Sequence, residues 1–360
     1  MASTICLIPS NPDIAGIGVR ISIYVQSATA LVPAALKIIE DLLRRNGARS
    51  QTTQFHKTVV NWENIEGIAT PNVILGFALL VSSLIQAHLY GLTVYHAIIL
   101  LNLHIIIGFS VLPYFILSIN DKSENSQRRG MIYSVKMRLL LFHMVHMSCA
   151  AGFGLWLFGT IDDFDDSDPN CTSSTFFYVF GKKVNVDHSG FRDFWIVIYS
   201  FLFIPAVNYV FLSFVYVIFL LVTFVFFFLH IRLIINILGA CTSIDQKYFL
   251  RGGQLANAVV AALSPGALML FLTEAMIKVN HVSEGESQWT FGQTIALFVA
   301  LWPLWNAYKL TKETMKRIRA GIELPKPDVP GSTASEEAND EEANGGNAPA
   351  AETTAAIEIV

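Results

Sequence analysis

The sequence predicts an all-α integral membrane protein: a bundle of seven transmembrane helices, N-terminus outside and C-terminus inside, followed by a disordered tail. Three observations carry that prediction. Phe194 to Ile231 runs without one Asp, Glu, Lys or Arg, whereas about 20 apolar residues suffice to cross a ~30 Å hydrocarbon core. Of the 360 residues, 53% are hydrophobic and only 14% charged, against about 25% charged in a globular chain. The basic residues also fall mainly on alternate connections between the apolar runs.

Each element follows in order. Residues 1–16 form an outer N-terminal segment with no Lys or Arg, and Asp13 stands where a signal peptide would need positive charge. The first hydrophobic stretch is therefore expected to be retained as span one, residues 17–38, entered through the turn signal Asn11-Pro12-Asp13. A basic linker over residues 39–70 leads to span two, residues 71–91, with Pro71 at its first turn. Gly91 and its neighbours separate it from span three, residues 93–118, so the two form an antiparallel hairpin. A polar loop follows, then span four, residues 137–161, whose Gly152 and Gly154 permit close helix approach.

The acidic stretch Asp162 to Asp168 precedes Asn170-Cys171-Thr172, an N-glycosylation sequon. Span five, residues 194–237, is read as one long helix kinked at Pro205, with two helices turning near Pro205 and Asn208 as the alternative. Span six covers residues 256–277 and is broken at Ser264-Pro265-Gly266; span seven covers residues 290–309. Residues 321–360 have a disordered composition. On this layout the inner segments hold 17 Lys and Arg and the outer ones four, and the sequon falls outside.

Two groups of polar residues are candidates for function. Arg20, Gln26, His96, Glu274 and Gln293 lie toward the outer ends of spans one, three, six and seven. A charge in hydrocarbon costs roughly 2.5–3.5 kcal/mol on insertion scales, so it pairs or faces a cavity. Arg20 and Glu274, opposite in sign and matched in depth, are expected partners, either in an outer vestibule for a small ligand or ion or as a structural ion pair. His104, His143 and His146 form the second group; His143 and His146 share a helix face, and the three are weighed as a metal site against interhelical hydrogen bonding and proton relay.

Four cysteines, Cys6, Cys149, Cys171 and Cys241, show neither C-x-x-C nor zinc-finger spacing. Cys6 and Cys171 are the two placed outside, and a disulfide between them, which would draw the N-terminal segment across the outer mouth, is weighed against both remaining free thiols.

Asn11-Pro12-Asp13-Ile14-Ala15-Gly16-Ile17-Gly18-Val19-Arg20 and the late Trp289-Thr290-Phe291-Gly292-Gln293 are the most distinctive motifs. Together they resemble a broad group of uncharacterised fungal multi-spanning membrane proteins that open with an N/D-P-D-x-x-G-x-G-V-R stretch and carry a W-x-F-G-Q element. The resemblance covers the two ends and the general layout, and implies an extracellular N-terminus but no activity.

No concentrated basic face exists for a nucleic-acid partner. There is no phosphate-cradling glycine loop, Ser-centred nucleophile motif or dinucleotide fingerprint, and no cofactor is expected. The partners expected are the lipid bilayer of the plasma membrane or secretory pathway and a small ligand or ion. Three function classes follow: a receptor-like protein sensing an outer ligand, a channel or transporter, and an intramembrane metal-dependent lipid enzyme.

Overall fold

The computed structural model describes residues 6–47, 62–118, 126–164, 172–179, 181–238 and 265–322. The chain is mostly helical. A short helix α1 (Pro12–Ala15) leads across Gly16 into α2 (Ile17–Gly47), followed by α3 (Trp62–Leu89), α4 (Val94–Ser118) and α5 (Ser126–Gly159). A two-stranded antiparallel hairpin, β1 (Phe176–Val179) and β2 (Lys182–Asn185), precedes α6 (Ser189–Phe203) and α7 (Val207–Leu238). Helix α8 covers residues 265–279, and α9 spans Phe291–Ile322.

Among the described residues four stretches are long and apolar enough to cross a membrane: Pro12–Lys37, Gly67–Leu89, Val94–Pro113 and Met137–Gly159; the bent pair α6 and α7 makes a fifth if it counts as one span. Helix α4 is the axis of the bundle. All of its apolar window is buried, and it packs against α2, α3, α5 and α7. Helix α3, by contrast, buries 39% of its apolar window and exposes Ile74, Val81, Leu84 and Ile85. Such an apolar exterior suits a lipid environment, where side chains need not be hidden from water.

The helices outrun the apolar spans. Helix α2 continues to Gly47, α3 begins at Trp62, α5 begins at Ser126 and α9 runs to Ile322. Polar turns keep the i→i−4 ladder beyond an apolar window, because backbone bonding does not depend on side-chain polarity. Pro71 therefore sits inside α3, not at its first turn.

The fifth span is the main departure from expectation. Residues 194–237 are not one kinked helix: α6 and α7 meet at a bend of 117°. Pro205 has no N–H to donate, and its ring disfavours helical geometry at the residue before it. Ile204 accordingly ends α6 in an extended conformation, φ −82° and ψ 116°. Ala206 then adopts a left-handed φ of 68°, which restarts the chain in a new direction. Asn208 fixes the break to α5, its Nδ2 donating to Met144 O at 2.9 Å and to Ser148 Oγ at 3.0 Å.

Helices α5 and α6 lie close because Gly154 has no side chain: a Cβ there would come within 2.8 Å of the Tyr199 ring. Arg192 at the start of α6 donates to Gly159 O at 2.8 Å and to Asp162 Oδ2 at 3.0 Å. Its cation thus meets the free carbonyls at the C-terminal end of α5, where a helix dipole favours positive charge. Phe158, Phe177, Phe191 and Trp195 pack the hairpin onto these two helices. Short strands outside the apolar runs give little hydropathy signal, and the hairpin was not expected from the sequence.

Candidate functional site at one end of the bundle

The candidate site forms where α1, α2, α4, α8 and α9 begin or end together. The N-terminal arm is part of it. Ile8 N–H donates to His281 O at 3.0 Å and Ile8 O accepts from Ser283 N–H at 2.8 Å, a parallel bridge beside α8. Ser10 N–H donates to Ser283 Oγ at 2.8 Å and Asn11 N–H to Glu286 Oε2 at 2.8 Å. Asn280 continues the same segment toward the hairpin: its amide exchanges two hydrogen bonds with the Phe176 backbone, at 2.8 and 2.7 Å.

Arg20 and Glu274 form the expected ion pair. The Arg20 side chain is 11% exposed and that of Glu274 33%. Arg20 Nε donates to Ala15 O at 2.8 Å, the carbonyl left free where α1 ends. Tyr24, one turn along α2, donates to the same Glu274 oxygen at 2.9 Å. One carboxylate of α8 therefore serves two donors from α2, and charge-assisted bonds of this kind are the stronger ones.

The other predicted residues divide around this pair. Gln293 is a clamp: Gly18 N–H donates to its Oε1 at 2.8 Å, and its Nε2 donates to Gln288 O at 2.7 Å. With both ends of its amide engaged, Gln293 joins α9 to α2 and does not present free groups to a solute. Asp13 accepts from Thr290 Oγ1 at 2.6 Å, and Ser22 Oγ donates to Ala296 O at 2.6 Å, so the same seam is stitched on both sides. His96 belongs to a separate contact, with Nε2 3.3 Å from Glu286 Oε1 and Nδ1 2.7 Å from Thr93 Oγ1. Glu286 was not predicted, because a carboxylate in a polar connection carries no sequence signal of its own. Gln26 lies deeper, donating to Ser22 Oγ at 3.1 Å.

In the interior, His104 Nδ1 lies 3.1 Å from His146 Nε2, joining α4 to α5. His143 is not bonded to that pair; its ring packs on Phe115. Among the described residues no three His, Cys, Asp or Glu side chains are arranged to hold a metal ion, so the three histidines do not form the metal site weighed from the sequence.

Cys6 is disulfide-bonded and Cys149 is free. Cys171 and Cys241, like Asn170 and Ser264, lie outside the described residues, and so does the tail from residue 323.

No family model, curated protein or solved structure matches the chain.

Proposed function

We propose that this chain is a receptor-like seven-span membrane protein that binds a small charged solute at Arg20, Tyr24 and Glu274, on the outer side of the membrane. The observation that carries this reading is the shared, partly exposed carboxylate of Glu274, which bonds both donors of α2. A solute with a cationic group competes for Glu274, and an anionic group on the same molecule takes up Arg20; free amino acids and similar zwitterions have that chemistry. Such binding exchanges the contact joining α2 to α8, while Gln293 carries any displacement of α2 to α9. A ligand shifts a conformational equilibrium only through contacts that differ between states, and this pair is a contact that can differ.

The outer placement rests on the distribution of Lys and Arg and on the Asn170 sequon. The resemblance to the fungal membrane proteins agrees with an extracellular N-terminus. Plasma membrane or secretory-pathway membrane follows from the sequon and the apolar spans together.

A channel or transporter is the second reading. It is favoured by buried polar atoms without hydrogen-bond partners among the described residues, such as Gln26 Oε1, Tyr95 Oη and Asn102 Nδ2, since polar groups at membrane depth mark solute pathways. Reconstitution into liposomes separates the two. The receptor reading expects a conformational response to amino acids, read by fluorescence of a label near α8, with no solute-dependent ion or amino-acid flux. Flux through the protein would replace it with the second reading.

A further inference from the structure

A line of buried polar side chains at the interface of α3, α4 and α5 plays no part in the charged end cluster. His104 and His146 are 1% and 0% exposed, and their contact uses one nitrogen of each ring. The outer nitrogens, His104 Nε2 and His146 Nδ1, have no side-chain hydrogen-bond partner among the described residues, and the Gly76 backbone lies within reach of the His146 ring. His143, one turn from His146 on the same face, leaves both ring nitrogens unpartnered among the described residues at 1% exposure. Asn72 of α3 donates to Ser110 Oγ of α4, but its Oδ1 has no partner among the described residues. Gly76 places the α3 backbone directly against the His146 ring, and Phe77 and Phe115 close the surroundings.

The chemistry of neutral imidazole decides what such a pair can do. Each ring has one N–H and one bare nitrogen. If His104 Nδ1–H donates, His104 Nε2 is a bare acceptor and His146 Nδ1–H a free donor. If His146 Nε2–H donates, the roles reverse. Whichever ring donates, the two outer nitrogens are one donor and one acceptor. Buried polar groups in proteins are ordinarily satisfied, by ordered water where no side chain reaches them. The unpartnered atoms of His143 and Asn72 lie toward the Ser110 and Phe115 end of the same interface and supply further sites for water.

We propose that the α3–α4–α5 interface holds an internal, water-bridged proton relay built on His104 and His146, with His143 and Asn72 ordering the water that feeds it. In one transfer a proton binds the bare outer nitrogen of one ring. That ring passes its inner proton across the 3.1 Å contact, and the second ring releases its outer proton to water. One proton enters, one leaves, and both rings exchange tautomers. The relay goes beyond the receptor reading and does not depend on it.

The test is magic-angle-spinning NMR of the full chain in lipid nanodiscs with 15N-labelled histidine. The expected result is a hydrogen-bond coupling between the His104 and His146 ring nitrogens and magnetisation transfer from water to their outer nitrogens. In His143→Phe the water transfer should be lost while the coupling between the two rings remains. Wild-type protein without water transfer to either ring would overturn the proposal, even if His143→Phe failed to assemble. Undiminished transfer in His143→Phe would also overturn it, by showing that His143 does not order the water.

Discussion

Arg20 and Glu274 stand 254 positions apart in the chain and close into an ion pair that joins α2 to α8. Tyr24 adds a second bond to the same carboxylate. Removing either charge leaves the other with its burial cost and no counter-charge, although Glu274 keeps Tyr24 and Arg20 keeps the Ala15 carbonyl. Arg20→Met or Glu274→Gln should therefore each destabilise the protein by about 2–3 kcal/mol, below the ~3–5 kcal/mol of a fully buried pair because Glu274 keeps a third of its exposure. The double substitution should cost less than the sum. Thermal unfolding of the four proteins in one detergent measures the coupling, and strictly additive losses would show that the pair does not interact.

The seam between α2 and α9 depends on Gly18. A Cβ at that position would lie 2.7 Å from Gln293 Cβ, and the Gly18 N–H already donates to Gln293 Oε1. Gly18→Ala should cost about 1–3 kcal/mol, the usual range for overpacking. Gln293→Ala should relieve part of that cost in the double variant, in the same thermal assay. A Gly18→Ala protein as stable as wild type would mean that the helices are not this close.

The bend between α6 and α7 is accessible to distance measurement. Phe194 and Phe214 are both exposed, so spin labels fit at each. A straight helix would hold these positions ~30 Å apart, whereas two arms bent by 117° bring them to about 14 Å. Pulsed electron resonance in nanodiscs should find the short distance. A distribution centred near the straight-helix value would restore a continuous fifth span.

Cys6 and Cys171 should form the disulfide that ties down the N-terminal arm. Cys6 is disulfide-bonded, and the arm at Ile8 lies on the segment that also holds the hairpin through Asn280 and Phe176. Thr172, whose O accepts from Thr175 N–H, leads into that hairpin. Non-reducing peptide mapping should recover a Cys6–Cys171 peptide. Recovery of Cys6 joined to Cys241 would instead reject both the pairing and the placement of residue 241 inside.

The apolar stretches were legible because a bilayer demands a minimum length of uncharged sequence, and 12–37, 67–89, 94–113 and 137–159 meet it. The Arg20–Glu274 pair was legible for a related reason: two opposite charges at one depth have few other partners. Pro205 marked the turn, but its size depended on Ala206 adopting a left-handed conformation, which Ala, unlike Gly or Asn, does not advertise. Gln293 read as a free polar group because the backbone N–H it captures, that of Gly18, is invisible in a list of side chains. Glu286 and Asn280 escaped notice in polar connections, where their partners are set by the folding of distant segments. The histidines failed as a metal trio because sharing a helix face does not make His143 and His146 point to one centre.

The central claim is that the Arg20–Tyr24–Glu274 cluster binds a small charged solute, and a thermal-shift screen tests it most directly. Purified protein in nanodiscs would be heated with each of the free amino acids and a set of simple amines and carboxylates, beside Glu274→Gln. The account predicts that at least one zwitterionic compound raises the unfolding temperature of wild type and leaves Glu274→Gln unchanged. No stabilisation by any compound, or equal stabilisation of both proteins, would contradict it.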